Sequence, residues 1–173
     1  KATARLEGLV AMEDPSTKIV LGGFSQGGAV ALTAGLRCKA PNVGAVVGTS
    51  TWLPLGDSYP SKLAEGALKR PVSLHHGDAD EVVRTSWGVA SKERLDELGF
   101  KVDFATYPGM AHSACPEEFD AISSFLKSSL YSISCAFAKP RFASLFMKSA
   151  KSASDGDPGD ALIARLKNSA AVA

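Results

Sequence analysis

The stretch Lys18-Ile19-Val20-Leu21-Gly22-Gly23-Phe24-Ser25-Gln26-Gly27-Gly28-Ala29 runs from a β-branched segment through two glycines to a serine, then out into small apolar residues. Lys18–Leu21 reads as a short strand, bounded by Pro15-Ser16 before it and Gly22-Gly23 after it. Gly27–Leu36, small and apolar, reads as a buried helix. Between them, Gly23-Phe24-Ser25-Gln26-Gly27 is a G-x-S-x-G pattern. A serine on so tight a strand-to-helix turn sits in strained backbone. Side chains two positions to either side would collide there, which gives Gly23 and Gly27 a steric reason. The outgoing helix aims its N-terminus at Ser25, where free N–H groups and the helix dipole can stabilise an oxyanion. The backbone N–H of Gln26 is the expected donor. No Lys-Ser/Thr follows the last glycine, which excludes a phosphate-binding loop.

Outward from this turn, apolar runs alternate with helical patterns as far as residue 130. Ala2–Met12 reads as the end of an amphipathic helix, Val43–Ser50 as a second strand and Val72–His75 as a third. Thr85–Leu98 is a helix stopped by Gly99, and Val102–Thr106 a fourth strand ended by Pro108-Gly109. Pro116–Leu130 is a last amphipathic helix, with Phe119, Ile122, Phe125 and Leu126 at helical spacing. Strands alternating with helices imply an α/β fold whose mostly parallel sheet is covered on both faces. No internal repeat is visible, and no G-x-G-x-x-G turn follows any predicted strand, which argues against a nucleotide-binding α/β protein.

A serine nucleophile needs a base, and the base an orienting acid. The chain has three histidines, His75, His76 and His112. In α/β-hydrolases the order along the chain is Ser, Asp/Glu, His, and His75 and His76 precede any suitable loop acid. His112 follows the fourth strand, in Tyr107-Pro108-Gly109-Met110-Ala111-His112, at the strand end from which a loop can reach Ser25. The loop after the third strand, His76-Gly77-Asp78-Ala79-Asp80-Glu81, offers Asp78, Asp80 and Glu81 as the acid, and spacing does not choose among them. Adjacent histidines on a strand point to opposite faces, so a metal site built from His75 and His76 is discounted.

Four blocks now stand in order: Gly22 to Ala29, Ser50-Thr51-Trp52-Leu53-Pro54-Leu55, His76-Gly77-Asp78-Ala79-Asp80-Glu81-Val82-Val83, and Tyr107 to Ser113. Together they resemble the acyl-protein thioesterase family, also called the lysophospholipase/carboxylesterase family of α/β-hydrolases, over roughly residues 1–130. The resemblance implies Ser25 as nucleophile, His112 as general base and Asp80 as the acid, leaving Asp78 as a turn former. It implies hydrolysis of acyl esters and thioesters on an acylated protein or a lysophospholipid, with no metal or organic cofactor. Trp52, Leu53 and Pro54 match the segment that lines the family's acyl site, and Val82 is placed with them. Cys115 reads as a buried structural thiol. Glu81 and Arg84 stand where many family members carry proline, which alters the rigidity and rim charge of the acid loop.

The resemblance also implies an absence. The family begins well before the nucleophile strand, with further strands and a His-Gly-rich loop that donates the second oxyanion N–H. Lys1–Asp14 corresponds only to the helix just before the nucleophile strand. Ile19–Leu21 is then expected to present an open apolar edge that invites pairing with another chain. Three explanations follow: an incomplete record of a longer protein, the reading preferred here; a half supplied by a partner chain; or a fragment recruited as a structural or interaction subunit with little activity.

The 173 residues, 45% hydrophobic and 21% charged, are those of a globular chain rather than a disordered one. A net charge of +1 gives no global pull toward nucleic acid. Three widely spaced cysteines, Cys38, Cys115 and Cys135, show no scaffold density. Their usage and the resemblance point to the cytoplasm, while the tail and the absent start keep an organelle open. Composition changes near residue 130. Residues 131–173 form an extension rich in Ser, Ala and Lys, expected to be mostly solvated. Within it, 137–151 carries Phe137, Phe142 and Phe146 among Lys139, Arg141, Lys148 and Lys151 with no acid, a pattern that can contact an anionic membrane or a partner. Asp160–Lys167 is read as two turns of helix.

Overall fold

The computed structural model describes residues 1–130 and the backbone of 161–166. In chain order the elements are α1 (Ala2–Ala11), β1 (Lys18–Phe24), α2 (Gln26–Arg37), β2 (Val43–Thr49), β3 (Val72–Gly77), α3 (Thr85–Glu97), β4 (Val102–Tyr107), α4 (Pro116–Leu130) and β5 (Ala161–Leu166). They form one sheet in the order β4-β3-β2-β1-β5. Strands β1 to β4 are mutually parallel, and β5 runs antiparallel to β1.

Strands β1, β2 and β3 are buried on both faces, β4 is half-buried at the edge, and the alternation of side chains assigns the layers. Ile19 and Leu21 of β1 pack with Leu6 and Val10 of α1 and Ala31 and Ala34 of α2. Val46, Val72 and Leu74 continue that layer against Leu32 and Leu36 of α2 and Leu95 of α3. Val20, Ala45 and Val47 face the other way, onto Ile122 and Phe125 of α4. Burying side chains of that size stabilises the fold by about 1.5–3 kcal/mol each. Three helices therefore cover one face and α4 the other, and the turns from β1, β3 and β4 into α2, α3 and α4 share the C-terminal end of the parallel strands.

Small residues let α2 ride directly on the sheet. A Cβ on Gly28 would stand 2.7 Å from the Gly23 carbonyl oxygen and 2.7 Å from Thr51 Cβ, and a Cβ on Gly35 would overlap the Val46 side chain. The connection from α2 to β2 is held by Arg70, which is only 5% exposed. Its guanidinium donates to the carbonyls of Val43 (3.1 Å), Gly35 (2.6 Å), Cys38 (2.9 Å) and Ala40 (2.8 Å). Gly35 and Cys38 stand at the end of α2, where carbonyls lack intrahelical donors, Ala40 and Val43 lie on the way into β2, and a planar, five-donor cation can reach all four.

The edge beside Ile19–Leu21 differs from expectation. It is covered by the chain's own residues 161–166, with Ile19 opposite Arg165, Val20 opposite Ala164 and Leu21 opposite Ile163. The segment read as two helical turns is thus a strand, and the open edge that invited a partner chain is occupied. The physical reason is that a row of unpaired N–H and C=O groups along β1 rewards an extended segment, whereas two isolated helical turns have no packing to hold them. The basic aromatic stretch 137–151 and the rest of the extension lie outside the described residues.

Candidate active site

Ser25 stands between the end of β1 and the first turn of α2, with φ 54° and ψ −123°. A positive φ in a non-glycine residue costs free energy, and the surroundings impose it here. The Ser25 N–H donates to Thr49 O at 2.8 Å, and the Ser25 carbonyl accepts from Thr51 Oγ1 at 2.7 Å and from Ala29 N at 3.2 Å. Gly23 makes room: a Cβ there would lie 2.5 Å from Gly27 O and 2.6 Å from Gly28 N. The side chain of Ser25 is thereby lifted out of the sheet. The first N–H groups of α2, beginning with Gln26, have no intrahelical partners.

His112 comes from the loop after β4, and its Nε2 lies 3.0 Å from Ser25 Oγ. Its Nδ1 donates to Asp80 Oδ2 at 2.7 Å. That bond leaves Nε2 as the unprotonated nitrogen of the neutral ring, able to accept the Ser25 hydroxyl proton. The ring of Phe24 flanks His112, centroids 4.5 Å apart at 45°.

Asp80 is 5% exposed. Its Oδ1 accepts the N–H groups of Val82 and Val83, both at 2.9 Å. Burial alone pushes the carboxyl upward, but the hydrogen bonds from His112, Val83 and Val82 and the His112 charge outweigh it and hold the group below the ordinary aspartate range. The side chain stays ionised and oriented. His76 supports the same loop from beneath: its Nε2 donates to Val83 O at 2.8 Å and stands 3.6 Å from Asp80 Oδ2. Of the three loop acids, Glu81 is exposed, Asp78 accepts the N–H of Gly109, and Asp80 is the one bonded to His112.

The expected substrate-lining residues divide. Trp52 and Leu53 line a cavity of about 260 Å³ whose other walls include Trp87, Ser91 and Arg94. Trp52 and Trp87 meet edge to face, centroids 6.1 Å apart. Pro54 is half-buried and outside that lining, and Val82, 68% exposed, contributes its backbone N–H to Asp80 rather than a wall. Neither Ser25, Asp80 nor His112 lines the cavity. Trp87, Phe24 and His76 were not anticipated as parts of this region. The one signal for Trp87 was an indole in the first turn of a helix whose other side packs on the sheet.

The two adjacent histidines do separate. His75 bonds Ser73 Oγ and Tyr107 Oη, each at 2.8 Å, on the side of the sheet that faces α4. Burial pulls His75 down to about 4, against the raising effect of Asp103. Burial pushes Tyr107 up to about 12, helped by Glu118, Cys115 and Glu117. Glu118 of α4 is fully buried, with neither carboxylate oxygen hydrogen-bonded, and burial raises it to about 7. Cys115, expected to be buried, is only half-buried at the start of α4. It precedes the helix, where one face of the turn remains open to solvent. Among the described residues no group of three or more His, Cys, Asp or Glu is placed to hold a metal ion.

The surrounding fold has known relatives. The acyl-protein thioesterase 1 of Gibberella zeae is 44% identical over 115 residues, covering 65% of this chain and 48% of that protein. A homologue of acyl-protein thioesterase 1 from Dictyostelium discoideum is 33% identical over 116 residues, covering 67% of this chain and 50% of that protein. Among solved structures, the acyl-protein thioesterase 2 of Zea mays superposes with a TM-score of 0.66 at 31% identity, covering 75% of this chain and 63% of that one. The chain spans about half the length of the curated relatives it matches. Its partial α/β-hydrolase sheet and the match of residues 6–130 to the family model together show that the chain belongs to the phospholipase/carboxylesterase family.

Proposed function

We propose that this chain carries the reacting half of a serine hydrolase that cleaves acyl thioesters or esters, with Ser25 as nucleophile, His112 as base and Asp80 as the residue orienting it. The observation that carries the reading is the unbroken run of hydrogen bonds from Asp80 Oδ2 through His112 to Ser25 Oγ, at 2.7 and 3.0 Å. The relatives named acyl-protein thioesterase support the substrate class.

The chemistry proceeds from these positions. His112 Nε2 takes the Ser25 proton as Oγ attacks the acyl carbonyl, and the carbonyl oxygen gains a negative charge near the Gln26 N–H. Asp80 stabilises the imidazolium that forms. His112 then gives the proton to the departing thiol or alcohol, leaving the acyl group on Ser25. Water activated by His112 releases the fatty acid and restores the serine. An acylated protein or a lysophospholipid is the proposed substrate, and the indole-walled cavity at Trp52 and Trp87 offers an apolar surface for its chain. Among the described residues no helix is long and apolar enough to cross a membrane. For the compartment we propose the cytoplasm, with an organelle as the alternative, from the wide spacing of Cys38, Cys115 and Cys135, which shows no disulfide-scaffold density.

A chromogenic medium-chain thioester tests the reading. Turnover by the chain, abolished by Ser25→Ala, is the expected result; equal turnover by parent and Ser25→Ala contradicts it. A folded chain with no turnover at all favours the alternative reading, a hydrolase-derived interaction subunit.

A further inference from the structure

Asp78 looks from the sequence like a turn former for its own loop, but its carboxylate is used elsewhere. Its Oδ1 accepts the backbone N–H of Gly109 at 2.6 Å, across 31 residues of chain. The contrast with Asp80 is direct, because Asp80 Oδ1 does cap its own loop through Val82 and Val83. Gly109 is three residues before His112 and has φ +69°, a left-handed turn that aims its N–H at the carboxylate.

Two further bonds join the same loops. The Asp78 N–H donates to Tyr107 O at 3.1 Å, and the Ala79 N–H donates to Met110 O at 3.1 Å. Gly77 closes the seam, since a Cβ there would overlap the Met110 carbonyl. The loop bearing His112 is thus laced to the loop bearing Asp80 at Tyr107, Gly109 and Met110. Of these three fastenings only the one at Gly109 depends on a side chain, and it is charge-assisted.

We propose that Asp78 is a positioning residue whose carboxylate, by holding Gly109, fixes His112 at its working distance from both Asp80 and Ser25. The proposal rests on the reading of Ser25, His112 and Asp80 as reacting groups. It gives the two aspartates of His76-Gly77-Asp78-Ala79-Asp80 separate tasks: Asp80 orients the imidazole, and Asp78 orients the loop that carries it. A displacement of about 1 Å in such a constellation costs on the order of 10²-fold in rate.

The test compares Asp78→Ala with Asp78→Asn, which retains an acceptor oxygen for Gly109. Two readouts are taken on the whole chain: the rate at which a fluorophosphonate labels Ser25, and the downfield proton resonance of His112 Nδ1–H. Expected for Asp78→Ala is labelling slowed on the order of 10²-fold, with the His112 resonance shifted or broadened and the melting temperature little changed. Asp78→Asn is expected to restore most of the rate and the resonance. If Asp78→Ala melts early, Asp78→Ser, whose hydroxyl is too short to span the gap, takes its place in the comparison. Labelling and resonance unchanged in Asp78→Ala overturn the proposal, as does an equal loss in Asp78→Ala and Asp78→Asn. If the parent chain is not labelled, the hydrolase reading fails separately. The resonance alone then decides: shifted in Asp78→Ala and restored in Asp78→Asn supports the latch, unmoved in both overturns it.

Discussion

Asp80 holds the Nδ1 of His112 at 2.7 Å while its other oxygen is occupied by two backbone N–H groups of its own loop. The carboxylate therefore has one orientation, and the imidazole inherits it. Asp80→Asn keeps the shape but offers an amide that favours the opposite tautomer, so acylation of Ser25 should fall by about 10⁴-fold. Pre-steady-state labelling kinetics measure it. Because Asp80 titrates below its ordinary value in the folded chain, its contribution to stability is present above the ordinary aspartate pKa. It is lost as pH falls through the lower folded value.

Gly23→Ala should damage the turn that presents Ser25. The added methyl would press on Gly27 O and Gly28 N, both backbone atoms that cannot swing aside. Overpacking of this kind costs about 1–3 kcal/mol. Thermal melting should register that loss, and fluorophosphonate labelling should fall further than the melt accounts for, because the strained serine is displaced as well.

Glu118→Gln isolates a buried acid that the proposed chemistry does not use. Its folded pKa of about 7 lies above the ordinary 4.5, so the folded chain holds the proton more tightly than the unfolded chain does. Stability linked to this group is intact below about 4.5 and is lost as pH rises through 7. Denaturant titrations of parent and variant should coincide near pH 4.5 and diverge toward pH 8, the variant ending more stable by about 3 kcal/mol. His75 works in the reverse direction, destabilising the fold as pH drops from 6.5 toward its folded value of about 4, and it is common to both proteins. Curves that stay parallel across the range would contradict the assignment.

Arg70→Met should destabilise the fold by about 2–4 kcal/mol, since it removes the guanidinium donors from the carbonyls of Gly35, Cys38, Ala40 and Val43. Arg70→Lys should recover little of this. It keeps the charge but gathers its three donors on one nitrogen, which cannot span Gly35, Cys38, Ala40 and Val43 together. Chemical denaturation of the two variants makes the comparison.

What could be read in the sequence was local. The turn at Ser25 is announced by Gly23 and Gly27 because the collision they avoid involves residues only a few positions apart. The four parallel strands are announced by β-branched runs with glycine and proline stops; β1, β3 and β4 run one to three residues past the expected ends, and β2 stops one residue short. The acid was another matter, since Asp78, Asp80 and Glu81 are neighbours and only their long-range partners distinguish them. Asp80 meets a ring 32 residues away, and Asp78 meets Gly109. Glu118 stands in the first turn of α4, a place where an acid can face solvent, yet it is fully buried, a result that depends on packing and not on the local sequence. Residues 161–166 carry a short apolar pattern that fits helix or strand equally, and the free edge of β1, far away in sequence, selects the strand.

Covalent labelling of the folded chain by a fluorophosphonate, with the modified peptide identified by mass spectrometry, tests Ser25 as the nucleophile most directly. The expected result is a single adduct on Ser25, absent from Ser25→Ala and strongly slowed in His112→Ala. A folded chain that takes up no label, or takes it up at another residue, would contradict the assignment of Ser25 as the nucleophile.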